Sequence, residues 1–298
     1  MILILAMLLD AALGEPKWLW SRVQHPAILM GQLIGWADTR FNIGPNQRRN
    51  GTLTMIALGL GAIMLGALLS AFGPLVELLV VAVLLAQRSL VDHVQAVGNA
   101  LRLSLGDGRR AVAMIVGRDT ATMDTPAVTR AAIESAAENL SDGVIAPVLW
   151  FAIFGLPGLL LYKITNTADS MIGYRTPRHQ DFGWAAARFD DLLNLIPARL
   201  TALLIAATHG QLTQWRAIRS EAQLHRSPNA GWPEAAMARA LDVALSGPRS
   251  YDGQMRDFAW VHPTGQRTPG PDDIDAAVRT LWRTWAAALV LAGVIVLV

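Results

Sequence analysis

Three carboxylates near the middle of the chain have the spacing of a single helix face. The segment Met123–Gly143 starts with a capping residue and a proline in its first turn and ends at a glycine, which predicts a helix. At about 100° per residue, the side chains of Glu134, Glu138 and Asp142 fall within about 80° of one another. Such a group of oxygens can hold a metal ion or a substrate. The structural alternative is a solvated face on which Arg130 pairs with Glu134 across one helical turn.

A second polar group lies between Tyr162 and Arg175, directly after an apolar run. Hard cations such as Mg²⁺ prefer oxygen ligands and often use one or two protein carboxylates together with phosphate oxygens. Asn166 and Asp169 fit that requirement, and a capped turn at the membrane interface is the structural alternative. The segment therefore predicts either a cation site or an ordinary interfacial turn.

A third group combines two acids with flanking arginines. Asp190 or Asp191 lies within one helical turn of Asn194, and Arg188 and Arg199 stand on either side. Guanidinium groups bind carboxylate and phosphate in a bidentate manner, so this pattern suits an anionic substrate. Salt bridges that only stabilise the fold would have the same spacing.

The composition excludes several other chemistries. The 298 residues contain no cysteine, which excludes a thiolate nucleophile, an iron–sulfur cluster and a cysteine-ligated zinc site. Lysine occurs only at Lys17 and Lys163, and neither follows a glycine, so a Walker-type phosphate loop is absent. The six histidines show no zinc spacing, and a net charge of +2 gives no reason to expect nucleic acid as a partner.

The apolar residues, 53% of the chain, are bunched into segments that a membrane would accommodate. Thr52–Phe72 has no charge and contains the roughly 20 residues that a spanning helix needs. A Gly-Pro turn then leads into a returning apolar helix at Pro74–Ala86, which predicts a transmembrane hairpin. The apolar C-terminus after Trp282 is a predicted last span, and the apolar N-terminus, interrupted by Asp10, is a predicted shallow and retained membrane segment.

Two further apolar stretches contain helix-breaking or charged residues. Val144–Ile164 is long enough to cross a bilayer, but Gly155-Leu156-Pro157-Gly158 at its middle should break it into two short halves. A re-entrant hairpin would then place the polar residues before and after it on the same membrane side. Leu192–His209 carries Arg199, which would cost roughly 2.5–3.5 kcal/mol at mid-bilayer against about 0.3–0.6 kcal/mol gained per Leu or Ile. We therefore expect its first half at an interface or inside the helix bundle.

Together these segments predict an all-α, polytopic integral membrane protein. It would have about four to six membrane segments, including the re-entrant hairpin, with interfacial or cytoplasmic helices between them. We expect a single domain over residues 1–298, in which residues 117–238 hold the polar catalytic motifs. Basic residues lie on both sides of the Gly73-Pro74 turn but not in it, so the positive-inside rule places that turn outside and its flanks in the cytoplasm.

Five long polar motifs follow one another along the chain. They are GRDTATMD from Gly117, ESAAENLSDGVIAP from Glu134, YKITNTADSMIGYR from Tyr162, FGWAAARFDDLLNLIPARL from Phe182 and SPNAGWPEAAMA from Ser227. In this order they resemble the motifs of the CobD/CbiB family, the adenosylcobinamide-phosphate synthases, which are membrane proteins of cobalamin biosynthesis. Residues 10–31 also resemble the N-terminus of that family, so the resemblance covers nearly the whole chain.

The resemblance implies an ATP- and magnesium-dependent amide ligation. The free propionate of adenosylcobyric acid would be joined to (R)-1-amino-2-propanol, to its O-phosphate or to the ethanolamine equivalent. Charge and spacing then suggest the residue roles. The expected metal ligands are Glu134, Glu138, Asp142 and Asp169; the expected catalytic residues are Glu134, Glu138, Asp169, Asp190 and Asp191; the expected substrate- and phosphate-binding residues are Lys163, Asn166, Tyr174, Arg175, Arg188, Asn194, Arg199 and Asn229.

The implied partners are the corrinoid substrate, the amino-alcohol phosphate and the lipid bilayer. A homo-oligomer, or a complex with other membrane enzymes of cobalamin assembly, is a further expectation, and the implied location is the bacterial cytoplasmic (inner) membrane, crossed several times. Two other classes stay open, a non-catalytic membrane sensor or binding protein similar to AmpE, and a transporter with broken helices. The density of Asp, Asn and Arg motifs between the apolar segments favours catalysis.

The sequence departs from the usual family pattern after Ala238. Where small residues such as Ala-Gly-Ala-Leu-Gly are common, this chain has Arg239 and Asp242 within Ala-Arg-Ala-Leu-Asp. The loop that follows Tyr251 is also unlike the usual pattern. The sequence therefore gives little support for a site role in this C-terminal loop.

Overall fold

The regular structure of the chain is almost entirely α-helical, as the apolar segments predict. The computed structural model describes residues 1–251 and 254–297. Within these ranges β1 (Leu245–Ser246) pairs with β4 (Trp260–Val261), and β2 (Arg249–Tyr251) pairs with β3 (Gln254–Arg256), both antiparallel. The helices are α1 (Ile2–Leu13), α2 (Lys17–Trp20), α3 (Pro26–Phe41), α4 (Gln47–Ser70), α5 (Pro74–Leu84), α6 (Gln87–Leu103), α7 (Leu105–Val112), α8 (Thr125–Leu140), α9 (Ala146–Ile172), α10 (Trp184–Leu193), α11 (Leu195–Thr208), α12 (Trp215–Ala222), α13 (Gly231–Leu241) and α14 (Pro271–Leu297), with a π-helical turn at Ser141–Ile145 and a 3₁₀ turn at Leu212–Gln214.

The helices form two compact units, each built from separate stretches of sequence. Unit 1 contains Met1–Ala86, Ala146–Leu195 and Ala292–Val298, and unit 2 contains Gln87–Ile145 and Ile196–Leu291. In unit 1, α9 packs against α4, α3 and α10, and in unit 2, α6 packs against α7 and α8. The interpretation of residues 1–298 as a single domain stays a prediction.

Three helical stretches in the described residues are long and apolar enough to cross a membrane, Gln47–Ser70, Pro74–Leu103 and Thr125–Ile172, and α10 with α11 would add a fourth if that pair forms one span. α4 shows the surface that such a helix needs. Its large apolar side chains recur every three or four residues and are more than half exposed at Leu53, Ile56, Leu60, Met64 and Leu68. A stripe of this kind is unfavourable in water and typical of a lipid-facing surface. The predicted fold class, an all-α polytopic membrane protein, is confirmed.

The apolar segments at the two chain ends are both helical. α1 has 12 residues, about 18 Å of helix, which is shorter than the roughly 30 Å of bilayer hydrocarbon. Its length agrees with the predicted shallow segment. The predicted last span falls in the C-terminal half of α14, which runs to Leu297. This helix is not among the three stretches of the described residues named above, so a span here stays a prediction. Val298 lies outside the described residues. Asp252 and Gly253, at the start of the loop after Tyr251, also lie outside them.

α9 does not run straight through its apolar segment but turns back on itself. Trp150 donates its indole N–H to the carbonyl of Leu193 at 3.2 Å, and Tyr162 donates its hydroxyl to Asn194 Oδ1 at 3.0 Å. In a straight helix, Trp150 and Tyr162 would be about 18 Å apart along the axis. Because Trp150 and Tyr162 bind to the consecutive residues Leu193 and Asn194, the two halves of α9 must lie side by side.

Gly155 is the residue that makes the reversal feasible. Its backbone angles, φ 62° and ψ −154°, fall in a region that is essentially restricted to glycine. Pro157 then suits the first turn of the second arm, since it has no N–H to leave unsatisfied. The arms, residues 146–154 and 156–172, are so close that a Cβ on Gly158 would lie 2.7 Å from the Trp150 carbonyl oxygen. The predicted break is confirmed, and the antiparallel arms have the geometry of a re-entrant hairpin rather than of one straight span.

Candidate functional site

In unit 1, a buried carboxylate is held by two side-chain amides at the open end of the α9 hairpin. Asp190 on α10 accepts a hydrogen bond from Asn166 Nδ2 at 3.2 Å on one oxygen and from Asn194 Nδ2 at 3.0 Å on the other. Tyr162 donates its hydroxyl to the Asn194 side-chain carbonyl. Asp190 is 9% exposed, and Tyr162 and Asn194 are almost fully buried. The second arm of α9 and the junction between α10 and α11 thus bring two predicted motifs into one network.

The Asp190 carboxylate is buried without a positive partner in the part of the chain that the structure describes. The side chains that hydrogen-bond its two oxygens there are neutral amides. Hydrogen bonds reduce the cost of burying a negative charge, and a cation beside the carboxylate would balance it. Mg²⁺ is often held by one or two carboxylates together with phosphate oxygens, and a protonated amine carries the same sign of charge. The network therefore suits a metal ion or an ammonium group.

Asp169 lies close to this network along α9 and is fitted against a glycine. A Cβ on Gly173 would lie 2.0 Å from Asp169 Oδ1, so the carboxylate can take its position only because residue 173 has no side chain. The Gly173 N–H also donates to the Asp169 carbonyl at 2.8 Å. Lys163, one helical turn before Asn166, is half-buried. The predicted residues of the α9 motif are thus carried by one helix arm and its terminating turn.

The remaining predicted residues of unit 1 lie nearer the surface. Arg188 Nη1 and Asp191 Oδ2 form an ion pair at 3.6 Å, with 63% of the arginine side chain exposed. Pairs of this kind typically contribute about 0–1 kcal/mol. Tyr174 and Arg175, in the turn after α9, are also exposed. These side chains are accessible to a ligand, but the structure does not bring them into the Asp190 network.

In unit 2, Glu134 binds two arginines from distant parts of the sequence. Arg118 Nη2 lies 2.7 Å from Glu134 Oε2, and Arg249 Nη1 lies 3.2 Å from the same oxygen. The other oxygen accepts the backbone N–H of Ser246 at 2.7 Å. The three side chains are between 9% and 14% exposed, so these charge-assisted hydrogen bonds are shielded from water. Glu134 thereby ties the GRDTATMD segment and the connection between β1 and β2 to α8.

The predicted group of three carboxylates is not assembled as one metal site. No set of three or more His, Asp or Glu side chains within residues 1–251 and 254–297 is placed to hold a metal ion. Glu134 is engaged by arginines, and Glu138 is exposed. Asp142 lies in the π-helical turn Ser141–Ile145, where the rotation per residue differs from that of an α-helix. A magnesium role for these residues stays a prediction and would need phosphate oxygens as further ligands.

The alternative pairing of Arg130 with Glu134 does not form. Arg130 instead donates to the backbone carbonyl of Arg267 at 2.8 Å, and its guanidinium carbon lies 5.3 Å from the centre of the Trp260 ring. The Glu134 carboxylate already has three donors from other segments, so the neighbouring turn of α8 is not needed to satisfy it. Around Glu134 this face of α8 is therefore an interior surface, whereas Glu138, one turn further along, is exposed.

A buried acid that the sequence reasoning did not single out also lies in unit 2. Glu234 on α13 is 5% exposed, and burial together with the negative charge of Glu134 raises its pKa to about 8. Its Oε2 is 3.9 Å from Nε2 of His225, whose pKa is lowered by burial. His225 Nδ1 accepts the Ser227 N–H at 3.1 Å, so the imidazole proton is on Nε2. At neutral pH this contact joins a neutral acid to a neutral imidazole.

Arg199 and Asn229, both predicted to bind substrate, are brought together in unit 2. Arg199 Nη1 lies 3.4 Å from Asn229 Oδ1, and the guanidinium stands over the Trp232 ring at 4.8 Å from its centre. A cation held over an indole face keeps its orientation. The Pro- and Gly-rich motif that begins at Ser227 thus positions the arginine of α11.

Comparison with known sequences identifies the family. The family described as CobD/Cbib protein matches residues 3–281. The chain belongs to the CobD/CbiB family. A relative named Cobalamin biosynthesis protein CobD from Sinorhizobium fredii is 47% identical over 100% of this chain and 97% of its own length. Proteins of the same name from Brucella suis and Rhodobacter capsulatus are 46% and 42% identical, each over 99% of this chain and over 97% and 96% of their own lengths.

No solved structure matches the chain. The resemblance seen in the five polar motifs is confirmed by the family match and by relatives that extend over the whole chain. Membership of the CobD/CbiB family gives the chain a role in cobalamin biosynthesis.

In this CobD/CbiB chain, sequence reasoning missed three residues that make central contacts. Arg118 lies inside the GRDTATMD motif, which was recognised as a whole without a role for its arginine. Glu234 lies in the motif that begins at Ser227, where a capped helix is the simplest interpretation. Arg249 gave no local signal, because its partner Glu134 lies 115 residues away. Arg249 also lies two residues before Tyr251, after which the loop begins for which the sequence gave little support as a site.

The positions at which this chain departs from the usual CobD/CbiB pattern have partners within unit 2. Arg239 is nearly buried, contacts Gln214 and pairs with Glu221 on α12 at 2.6 Å. Asp242 ends α13 in the left-handed conformation with φ 53° and accepts a hydrogen bond from His262 Nε2 at 2.7 Å. The larger and charged residues are therefore matched by polar groups elsewhere in the same unit.

Proposed function

We propose that this CobD/CbiB family member catalyses ATP-dependent formation of an amide bond between the free propionate of adenosylcobyric acid and an amino alcohol, (R)-1-amino-2-propanol, its O-phosphate or the ethanolamine equivalent. The observation that carries the proposal is the family match over residues 3–281, with relatives named for cobalamin biosynthesis. The product would be adenosylcobinamide or its phosphate. The protein would work as a multi-pass protein of the bacterial cytoplasmic membrane, alone, as a homo-oligomer or beside other membrane enzymes of the pathway.

The chemistry of this reaction sets requirements for the site. A carboxylate is a poor electrophile, so the propionate would first take the γ-phosphoryl group of ATP and release ADP. The amine would then attack the acyl phosphate, form the C–N bond, expel inorganic phosphate and lose one proton. Both steps need cations near phosphate oxygens and a group that accepts the amine proton. They also need a site shielded from water, because an acyl phosphate hydrolyses readily.

The Asp190 network supports this assignment through its burial and its unbalanced charge. We assign to Asp190 the binding of the positively charged amine or the acceptance of its proton, and to Asn166 and Asn194 the fixed orientation of that carboxylate. Two amide donors at 3.2 Å and 3.0 Å leave the carboxylate little freedom to rotate. A preoriented base or charge is the form in which a side chain contributes most to a transition state.

The residues present fit a magnesium ion if phosphate oxygens supply the rest of its coordination shell. In unit 1, Asp169 would hold it, together with Asp190 if the latter is not the base. In unit 2, Glu138 and Asp142 are the carboxylates with the same expected role. When bound, the ion neutralises charge on the transferring phosphoryl group. In unit 1, Lys163, Arg175 and Arg188 would bind phosphate or propionate oxygens, with Tyr174 as a further hydrogen-bonding group. In unit 2, Arg199 and Asn229 are the residues with the same expected role.

The test is a ligation assay with the purified full-length chain in detergent. Adenosylcobyric acid, aminopropanol O-phosphate, ATP and Mg²⁺ are incubated with the protein, and mass spectrometry follows the amide product together with release of ADP. Product that depends on ATP supports the ligase. Uptake of the corrinoid into vesicles without product would favour a transporter, and binding without either would favour the sensor or binding protein.

A pair of matched variants tests the site within that assay. Asp190→Asn keeps the shape of the side chain and removes its charge, and we expect turnover to fall by roughly 100-fold or more. Asp92→Asn is the control, because Asp92 lies on α6 in an exposed ion pair with Arg88. Equal membrane yield of both variants separates catalysis from folding. Near-normal turnover of Asp190→Asn would show that the site is elsewhere, even where the wild-type chain ligates.

A further inference from the structure

Unit 2 contains a small cavity with three arginines in its wall. The cavity has a volume of about 230 Å³ and lies between residues 118–134 and the connection between β1 and β2. Its lining includes Arg118, Arg130 and Arg249, together with Glu134 and Thr122. None of the three arginines is among the residues that sequence reasoning assigned to a site. This arginine cavity is therefore a feature that the proposed ligation does not yet use.

The inner wall of the arginine cavity carries more positive than negative charge. Three guanidinium groups stand against one carboxylate, that of Glu134, and the side chains of Arg118 and Arg249 are only 9% and 14% exposed. Two further acids, Asp119 and Asp124, lie at the exposed rim, where they accept backbone N–H groups of Ala121 and Ala127. Water and salt screen the rim charges more than those of the inner wall.

Arg118 and Arg130 each keep hydrogen-bond donors for a ligand. Arg118 gives Nη2 to Glu134, and Arg130 gives Nη1 to the carbonyl of Arg267. Each guanidinium has five N–H donors in a planar fork. Glu134 holds the guanidinium of Arg118, and the guanidinium of Arg130 stands over the Trp260 ring. Both guanidinium groups are thus fixed in place before a ligand arrives, which lowers the entropic cost of binding a group with several acceptor oxygens.

We propose that the arginine cavity binds a phosphate group. Phosphate combines several acceptor oxygens with negative charge in a small volume, and arginine binds it in a bidentate manner. Pockets for drug-sized ligands have volumes of about 300–1,000 Å³. A cavity of about 230 Å³ therefore suits a small phosphomonoester or the terminal phosphate of a nucleotide and has no room for a corrinoid ring. The site goes beyond the proposed ligation, because phosphate binding needs no turnover.

Titration with inorganic phosphate tests the cavity directly. The purified full-length chain in detergent, without magnesium, is titrated and followed by ³¹P NMR, and we expect saturable binding. Arg130→Gln is the principal variant, because Arg130 does not pair with Glu134 and its removal leaves no buried carboxylate unbalanced. Loss of one charge-assisted contact should weaken phosphate binding about 10-fold to 100-fold. Arg118→Gln should weaken it by a similar factor.

The matched control is Arg110→Gln on α7. The Arg110 side chain is 76% exposed and pairs with Asp107 at the surface, so the same loss of charge should leave phosphate binding unchanged. Circular dichroism and size-exclusion profiles identical to those of the wild type establish that the variants are folded. Absence of saturable phosphate binding in the wild type, or wild-type binding in both Arg130→Gln and Arg118→Gln, would overturn the proposal.

Competition then identifies the source of the phosphate. Displacement of inorganic phosphate by aminopropanol O-phosphate but not by magnesium-free ATP would assign the cavity to a small phosphomonoester. Displacement by ATP alone would assign it to a nucleotide phosphate, and both results support a phosphate site. A chain that binds phosphate here but forms no amide would refute the ligation and leave the cavity proposal intact.

Discussion

Replacing Gly155 by alanine tests the reversal of α9 at the residue on which it depends. The angles φ 62° and ψ −154° belong to a region that costs a residue with a side chain about 1–3 kcal/mol. A Cβ at this position would have its nearest neighbour, Pro157 Cδ, at 3.8 Å, which is an ordinary contact. We therefore expect Gly155→Ala to lose about 1–3 kcal/mol of unfolding free energy, all from the backbone, where 1.4 kcal/mol is a factor of ten in the folded-to-unfolded ratio.

Equilibrium unfolding in mixed micelles of increasing SDS content, followed by tryptophan fluorescence, measures this loss. Gly61→Ala is the matched control, because Gly61 lies inside α4 and a Cβ there meets no atom within 4 Å. Alanine is favoured over glycine in a helix by up to about 1 kcal/mol, so Gly61→Ala should be as stable as the wild type or more so. Equal stability of Gly155→Ala and the wild type would contradict the reversal.

Cross-linking gives an independent measure of the same hairpin. The chain contains no cysteine, so a pair introduced at Leu149 and Leu161 reacts without background. In a straight helix these positions would be about 18 Å apart, whereas packed antiparallel arms have axes roughly 8–10 Å apart. A reagent that spans about 10 Å should join the pair in the wild-type background and join it less in Gly155→Ala. A pair that never reacts would refute the fold of this segment.

Three further predictions address the site and unit 2. Asp169→Asn and Glu138→Gln should abolish ligation while membrane insertion stays normal, and chelation of Mg²⁺ should do the same; near-normal turnover would contradict the metal assignment. Arg239→Ala should cost about 3–5 kcal/mol of unfolding free energy, because Glu221 is left buried without its cation, and the double variant with Glu221→Ala should recover part of that loss. The pKa of Glu234 is raised from 4.5 to about 8, so the folded chain keeps a proton that the unfolded chain releases, and stability should fall as pH rises from about 4.5 to about 8 and then level off. Glu234→Gln should flatten that slope in unfolding curves measured across this range, and an unchanged slope would assign the proton to another group.

Features that depend on local chemistry could be predicted from the sequence. Gly155-Leu156-Pro157-Gly158 breaks a helix wherever it occurs, because glycine tolerates positive φ and proline lacks an N–H. The charge-free run within α4 is long and apolar enough to identify a membrane span. Asn166 was also predicted as a site residue from one motif, and Asp190 and Asn194 from another. What the sequence left open was that α9 and the α10–α11 segment bring these residues together around one carboxylate.

Contacts between distant segments could not be predicted in this way. Helical spacing placed Glu134 on one face with two other acids, but spacing carries no information about Arg249, 115 residues further along the chain. The π-helical turn at Ser141–Ile145 likewise depends on packing rather than on a residue pattern. Glu234 has the sequence context of a capped helix, and only its burial beside Glu134 gives it an unusual pKa.

The interleaving of the two units along the chain sets an order of assembly during synthesis. Glu134 leaves the ribosome long before Arg249, which lies 115 residues later. At translation rates of about 5–20 residues per second, that interval is roughly 6–23 s. The second segment of unit 1, Ala146–Leu195, emerges within this interval. Unit 1 can therefore assemble most of its helices before the second segment of unit 2, Ile196–Leu291, has been synthesised. A ribosome stalled before residue 249 would leave Glu134 without one of its two arginine partners.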